Sequence, residues 1–318
     1  MRIFLTGASG CIGHYLAETL IQKTNHELFL LVRNPDKLRF DYQARPGIHI
    51  LQGDLYQIEE LSDLIKTIEV AILAATSWGG DVEAYEINVV KMLSLIKLLD
   101  SEICQQVIYF STASILDHNN QLLPEAGELG TNYIRTKHAC YSQLSQLEIA
   151  SKITTVFPTL VLGGDKNKPY SHLSGGLPEV VKLINLIRWF KADGSFHFIH
   201  ARDIAQIVSY LVDNPPSESS PRQFILGNKE VEVNEAVEEI CAYLNKKIYF
   251  RIPLSIWLAN FFIKVFNIYM EPWDRFCLNY RHFTYINPVT PATFGLKNYC
   301  STVTDILKVA EIPPGIPS

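Results

Sequence analysis

A tyrosine and a lysine stand four residues apart in Tyr133-Ile134-Arg135-Thr136-Lys137. On a helix, positions i and i+4 share a face, so phenol and ammonium would point into one cleft. A free phenol has a pKa of about 10 and is a poor base at neutral pH. Positive charge nearby lowers it, which makes Tyr133 a usable proton donor or acceptor. The spacing is weak by itself. Composition gives about 0.8 such pairs by chance, and a second exists, Tyr243 with Lys247. Position separates them. Tyr133 opens a helix that follows the apolar run QVIYFST (106–112), which leads into Ser111-Thr112-Ala113-Ser114. A hydroxyl at that strand end can hold a substrate oxygen beside the phenol. No comparable hydroxyl strand precedes Tyr243.

Three glycines, Gly7, Gly10 and Gly13, punctuate TGASGCIG between the first strand and the first helix. Glycine there permits a tight turn, close backbone approach to a diphosphate and close helix packing. The helix N-terminus then aims free N–H groups at the phosphates. With Ser9, Cys11 and Ile12 this turn reads as the cradle of a dinucleotide, although the spacing is GxxGxxG rather than GxGxxG. The second strand ends at Arg33, where an acidic residue would favour NAD; a guanidinium suits the 2′-phosphate of NADP. Asp36 competes for the same ribose, so NADP is favoured and NAD stays open. Asp54 can accept from the adenine amino group with Leu55 packed on the ring, and Ala74, Ala75 and Thr76 leave room for the cofactor backbone. Asn88 reads equally as a capping, packing or catalytic residue.

Strands that would position these groups alternate with helical patterns. Strands are read at 2–6, 27–33, within 48–54, and at 70–75, 106–112 and 153–162; helices at 12–23, around 58–67, and at 83–99 and 131–151. Such alternation of nearly uninterrupted apolar strands predicts a parallel sheet covered on both faces. A Gly/Pro-rich stretch (163–178) reads as a mobile connection. Beyond it come helices at 179–190, 235–245 and 254–268, a strand and helix in 196–214 and a strand at 222–227. The predicted division is a nucleotide-binding domain over 1–162, with 196–228 returning to it, and a substrate lobe from 163–195 and 229–318.

With 318 residues, the chain can bury a sizeable core without disulfides or metal. Its formal charge of −5 and lack of a polybasic run argue against nucleic acid as partner. Six scattered cysteines without a CxxC pair fit reduced thiols and a cytoplasmic setting, and the N-terminus reads as a strand rather than a signal peptide. The apolar stretch 254–270 is short for a membrane span and carries a polar stripe of Asn260, Lys264 and Asn267. It reads as an amphipathic helix, with peripheral membrane contact or partner docking as the functional alternative.

The set TGASGCIG, GDL, LAA, YFSTAS, YIRTK and FHFIHARDIA, in that order, resembles the extended short-chain dehydrogenase/reductase family. The resemblance implies an α/β fold: a Rossmann-type doubly wound parallel sheet with a smaller C-terminal α+β substrate lobe, acting on a small molecule as a homodimer. Carried over by position, it implies Thr112 as catalytic hydroxyl, with Ser111 and Ser114 as substitutes, Tyr133 as general acid/base and Lys137 as ribose-binding helper. Departures narrow the reaction. Ala113-Ser114 stands where sugar-nucleotide dehydratases carry Asp-Glu, and Leu116-Asp117 where many sugar-nucleotide members carry tyrosine and glycine. Phe157-Pro158 replaces the usual Arg-Pro, and Gly163-Gly164 the Tyr-Gly-Pro ending. These features look closest to the dihydroflavonol-reductase and hydroxysteroid-dehydrogenase branch. The expected activity is NADP-dependent reduction of a carbonyl or oxidation of an alcohol, on an apolar or ring-bearing substrate given Trp189, Phe190, Tyr269, Trp273 and Phe276. A sugar-nucleotide epimerase and a non-catalytic NADP-binding scaffold are the alternatives.

Overall fold

The computed structural model describes residues 1–216 and 222–316. Strands β1 (Arg2–Thr6), β2 (Glu27–Val32), β3 (Ile48–Gln52), β4 (Val70–Leu73), β5 (Gln106–Phe110) and β6 (Ile153–Pro158) form one parallel sheet, as the alternating pattern predicts. After Pro158 the expected sixth strand divides. Thr159 stays bonded to the sheet through its N–H on the Leu226 carbonyl, while β7 (Leu160–Leu162) swings out to pair with β8 (Phe198–His200). The strand Arg222–Leu226, β9, returns to the sheet edge beside β6. The order is β9-β6-β5-β4-β1-β2-β3, with the chain's crossover between β1 and β4. In such sheets ligands bind outside the carboxyl ends of the strands at that switch point.

Two apolar layers cover the sheet. On one face α1 (Cys11–Lys23) and α5 (Ala201–Val212) pack together with Leu16, Leu20, Ile204 and Val208 fully buried. On the other, Ile58, Met92, Leu95 and Cys140 close over Phe4, Ala71 and Tyr109. The helix predicted at 83–99 spans Asp81–Tyr85, Glu86–Lys91 and Met92–Leu98 as a continuous α2, its middle piece wound as a π-helix. Such segments recur at functional sites, and this one carries Asn88.

Several elements differ from the sequence reading, and the helix read around 58–67 is a 3₁₀ segment, Leu55–Leu61, followed by a single turn, Ser62–Ile65. Helix α3 is Asn132–Leu144, capped by the Thr131 hydroxyl, and stops short of 151. The bonds Gln146 N–H to Gln143 and Leu147 N–H to Leu144 tighten its end into turns. Helix α4, His172–Ile187, begins inside the stretch read as a mobile connection. The Ser171 hydroxyl accepts from Ser174 N–H and starts a helix that tolerates Gly175, Gly176 and Pro178 in its first turns. The apolar stretch near the C-terminus gives only a ten-residue helix, Ile256–Val265. The rest of the region is built from α6 (Val233–Tyr243), that helix, α7, then α8 (Pro272–Tyr280) and α9 (Val303–Val309). Asp203 ties it back to α5: its buried carboxylate accepts from Tyr299 N–H (2.7 Å) and Cys300 N–H (3.0 Å). No helix among the described residues is long and apolar enough to cross a membrane.

Candidate functional site

The glycine turn has the shape its sequence requires. Gly7 lies at φ +81°, and a Cβ there would sit 2.7 Å from Ala75 N, so the β1 turn runs hard against the tail of β4. A Cβ at Gly13 would fall 1.9 Å from the Gly7 carbonyl, which fixes how closely α1 begins to the strand. The N-terminus of α1 is capped by no side chain and holds no acidic residue in its first turn. Its free N–H groups and positive dipole end are therefore open to an anion. A cleft of about 320 Å³ runs from this turn, lined by Gly7, Ser9, Gly10, Arg33, Asp54, Leu55, Ala74, Ala75 and Thr76. Arg33 is largely exposed, with Nη1 4.0 Å from Asp54 Oδ2, and Lys37 lines the same cleft. The Asp54 carboxylate also accepts from Tyr56 N–H at 3.0 Å, which fixes its orientation. Asp36 sits on a short turn behind Asn34, outside the cleft wall.

A second cleft, about 560 Å³, opens at the carboxyl end of β5 and shares Gly7, Gly10, Ala74, Thr76 and Trp78 with the first. Cys11, Ile12, Gly13, Ser111, Thr112, Ser114, Tyr133 and Lys137 line it. The helical spacing thus brings phenol and ammonium to one wall and the hydroxyl-rich strand end to the same space. Lys137 is 2% exposed, and its Nζ donates to the Phe110 carbonyl at 2.7 Å. Burial pulls that ammonium down to about 8. It also lies 5.9 Å from the Tyr133 ring centroid and 5.1 Å from that of Tyr109. Burial pushes the Tyr133 phenol up to about 12, and a hydrogen bond with the Thr112 side chain works against that rise. Thr112 Oγ1 donates to Ser114 Oγ (3.3 Å) and accepts from Ser114 N–H (3.3 Å). Ser111 Oγ is buried without a hydrogen-bond partner among the described residues.

Asn88 braces this arrangement from behind. Its Oδ1 accepts from Thr76 Oγ1 (3.0 Å) and Ser77 N–H (2.7 Å), and its Nδ2 donates to Ser77 O (2.9 Å) and Thr136 Oγ1 (3.0 Å). All its polar capacity is spent joining the β4 tail to α3, so in this state it is a brace. Cys11 is a weak acid here, since burial raises its thiol to about 12.

Lys37 on the first cleft, and Trp78, Tyr170 and His172 on the second, escaped the sequence reading. Trp78 stacks on Tyr133 with centroids 4.0 Å apart and planes 17° from parallel, and its ring also meets His172 at 4.7 Å. In the sequence it is one aromatic in a Ser-Trp-Gly-Gly turn; its only signal is that it follows the fourth strand by a few residues. The other tyrosine–lysine pair forms no site. Tyr243 Oη donates to the Ile312 carbonyl at 2.7 Å, while Lys247 lies exposed beyond the helix end.

The donors and space fit a dinucleotide: an uncapped helix end, a turn whose glycines leave the backbone bare, and an unpartnered buried hydroxyl beside the phenol. Comparison with known proteins agrees with that chemistry. A sequence profile of the NAD dependent epimerase/dehydratase family matches residues 3–227. Short-chain dehydrogenase/reductase family 42E member 1 of Xenopus laevis is 26% identical over 151 residues, covering 42% of this chain and 37% of that protein. The match thus spans little more than a third of that relative's length. Similar solved structures include gox2253 (TM-score 0.70, 15% identity, 98% of each chain). Another is UDP-glucose-4-epimerase from Stenotrophomonas maltophila with bound NAD and formylated UDP-arabinopyranose (TM-score 0.64, 14% identity, 98% of each chain). At these identities the structures speak for the fold. The profile covers well over half of the chain, which belongs to the NAD dependent epimerase/dehydratase family, among the extended short-chain dehydrogenases/reductases.

Proposed function

We propose that this chain is an NADP-dependent oxidoreductase acting on a small carbonyl or alcohol substrate with an apolar or ring-bearing body. The observation that carries the reading is the convergence of Thr112, Tyr133 and Lys137 on one cleft continuous with the glycine turn. The dinucleotide would be held by Gly7, Ser9, Gly10, Cys11, Ile12 and Gly13 at its diphosphate, and by Asp54 and Leu55 at its adenine. Ala74, Ala75 and Thr76 would give it room, with Lys137 at a ribose. Arg33 with Lys37 supplies two cations and supports NADP over NAD. When bound, the cofactor supplies a hydride donor or acceptor.

The chain's own residues manage the proton. In reduction, Thr112 donates a hydrogen bond to the substrate oxygen and Tyr133 Oη delivers the proton that oxygen needs as its carbon is reduced. Lys137, held by the Phe110 carbonyl, stands 5.9 Å from the Tyr133 ring centroid. Burial holds the phenol up at about 12, rather than at the lowered value the spacing predicts, which suits it to proton delivery. In the oxidation direction the same phenolate takes the proton back. Trp78 covers Tyr133 and shields it from water. Dehydration lacks a proton shuttle here, because Ala113 and Ser114 occupy the places of its usual acids. None of Trp189, Phe190, Tyr269, Trp273 and Phe276, the aromatics behind the sequence expectation, lines the cleft, and Trp273 and Phe276 are core instead. The reading of a substrate less polar than a nucleotide sugar rests on the cleft's own apolar wall, including Leu160, Val161 and Leu173. We extend the proposal to the division of the chain, with 1–162 and 196–228 as the nucleotide-binding domain and the remainder as the substrate lobe.

The test is NADPH consumption by the full chain across a panel of apolar ketones and ring-bearing carbonyls, repeated on Tyr133→Phe. Turnover that falls about a thousandfold in the variant is the expected result. Turnover that survives the substitution overturns the role of Tyr133. Tightly held oxidised NAD on the purified chain, with UDP-sugar interconversion in place of net reduction, would replace the proposal by the epimerase reading.

A further inference from the structure

Helix α7 buries none of its residues, although its sequence IWLANFFIKV is overwhelmingly apolar. Around it, Tyr249, Phe250, Trp257, Phe261, Phe266 and Tyr269 are exposed by between 48% and 79% of their surface. This is far more exposed aromatic surface than isolated surface residues contribute, and it marks an interaction face. The strip is continuous with the end of α4. Ile252 pairs with Phe190 and Pro253 with Lys191, Trp189 stacks on Phe250 at 5.0 Å, and Arg188 donates to the Lys247 carbonyl at 3.0 Å. Leu183 and Leu186, on the last turns of α4, are also more than half exposed.

Cations outnumber carboxylates along this strip, whose acids stand at its ends: Glu179, Asp193, Glu239 and Glu271, the last meeting the Tyr269 hydroxyl. Segment 180–192 carries Lys182, Arg188 and Lys191 with no carboxylate, and segment 240–270 carries Lys246, Lys247, Arg251 and Lys264 with none. The chain as a whole has formal charge −5, so these cations are concentrated against the overall trend. Acids from outside the segments reach two of them: Glu179 pairs with Lys182, and Glu238 with Arg251. Among the described residues the other five have no carboxylate partner, and Lys191, Lys246, Lys247 and Lys264 are exposed. Exposed tryptophan, tyrosine and phenylalanine beside unpaired lysines are the chemistry of a helix lying in the headgroup region of an anionic bilayer. With ten residues α7 is too short to span one.

We propose that α7 and the adjoining end of α4 form a docking face for an anionic phospholipid surface, on which the chain lies peripherally. Aromatic side chains enter the interface while the lysines engage the headgroups. Nothing in this inference depends on which reaction the cleft carries out.

The experiment is co-sedimentation of the full chain with phosphatidylcholine vesicles and with phosphatidylcholine–phosphatidylglycerol vesicles, at low and at near-physiological salt. Sedimentation with the anionic vesicles only, weakening as salt rises, is expected. Each lysine removed should weaken partitioning about fivefold, so Lys246→Gln/Lys247→Gln/Lys264→Gln falls near a hundredfold. Trp257→Ser/Phe261→Ser should release the protein at unchanged charge. Both variants alter exposed side chains, and an unchanged thermal midpoint verifies their folding. No sedimentation with anionic vesicles overturns the proposal, as does sedimentation that neither variant alters. A concentration-dependent dimer abolished by Trp257→Ser/Phe261→Ser, without vesicle binding, also overturns it and assigns the face to a second copy.

Discussion

Two tyrosine–lysine pairs with identical spacing meet different fates in this molecule. Tyr133 and Lys137 lie on a helix that begins beside the carboxyl end of β5, so a cleft receives both. Tyr243 and Lys247 straddle a helix end in the C-terminal region, where the phenol secures the Ile312 carbonyl and the ammonium is exposed. The sequence pattern specifies only that two groups can share a face. Chemistry requires that the face be turned toward the switch point of the sheet, with hydroxyls opposite and a phosphate-binding turn alongside.

The largest expected contrast is catalytic. On any carbonyl substrate the chain reduces, Tyr133→Phe should lower kcat/KM by a factor of about 10² to 10⁴, whereas Tyr243→Phe should leave it within about twofold. Equal losses in the two variants would erase the distinction. Lys137→Met sharpens it with a signature beyond activity. The buried ammonium is pulled down to about 8 from an ordinary value near 10.5, so it costs stability at neutral pH. That cost diminishes as pH rises from 8 toward 10.5, because the unfolded chain then holds a proton the folded chain has released. Denaturant titrations should therefore show the wild type gaining on Lys137→Met across that window, by about 3 kcal/mol at most.

Smaller effects follow at the edges of the two regions. Arg33→Ala should weaken NADPH about tenfold while leaving NADH within about twofold, as read by titration calorimetry. Equal weakening of both nucleotides would take the 2′-phosphate away from Arg33. Least of all, Tyr243→Phe should cost about 1 kcal/mol of stability by leaving the Ile312 carbonyl unpaired.

Much of the site was legible in the sequence because it depends on local rules. Gly7 needs a positive φ, Gly13 needs the absence of a Cβ, and Tyr133 and Lys137 need only a helical period. The parallel sheet was legible too, since strands buried on both faces read as unbroken apolar runs. What was hidden depends on tertiary approach. Trp78 reaches Tyr133 because the β4 tail is pulled toward α3 by Asn88, a contact between residues far apart in sequence. The early start of α4 was masked by Gly175, Gly176 and Pro178, whose low helix propensity the Ser171 cap and tertiary packing override. Likewise, periodicity showed that 254–270 has a polar stripe, but only the fold shows that no residue of Ile256–Val265 is buried among the described residues.

The central claim is that the glycine turn and the Tyr133 cleft form one dinucleotide site, and Gly10 gives the most direct way to test it. A Cβ at Gly10 meets nothing closer than the Gly7 carbonyl at 3.4 Å, and an aspartate is a favourable helix cap. Gly10→Asp should therefore keep or raise the thermal midpoint while setting a carboxylate where the diphosphate would sit. Calorimetric titration with NADPH and NADH should show one site per wild-type chain, tighter for NADPH, and at least hundredfold weaker binding in the variant. A wild-type chain that binds neither nucleotide, or a variant that binds both as before, would contradict the account.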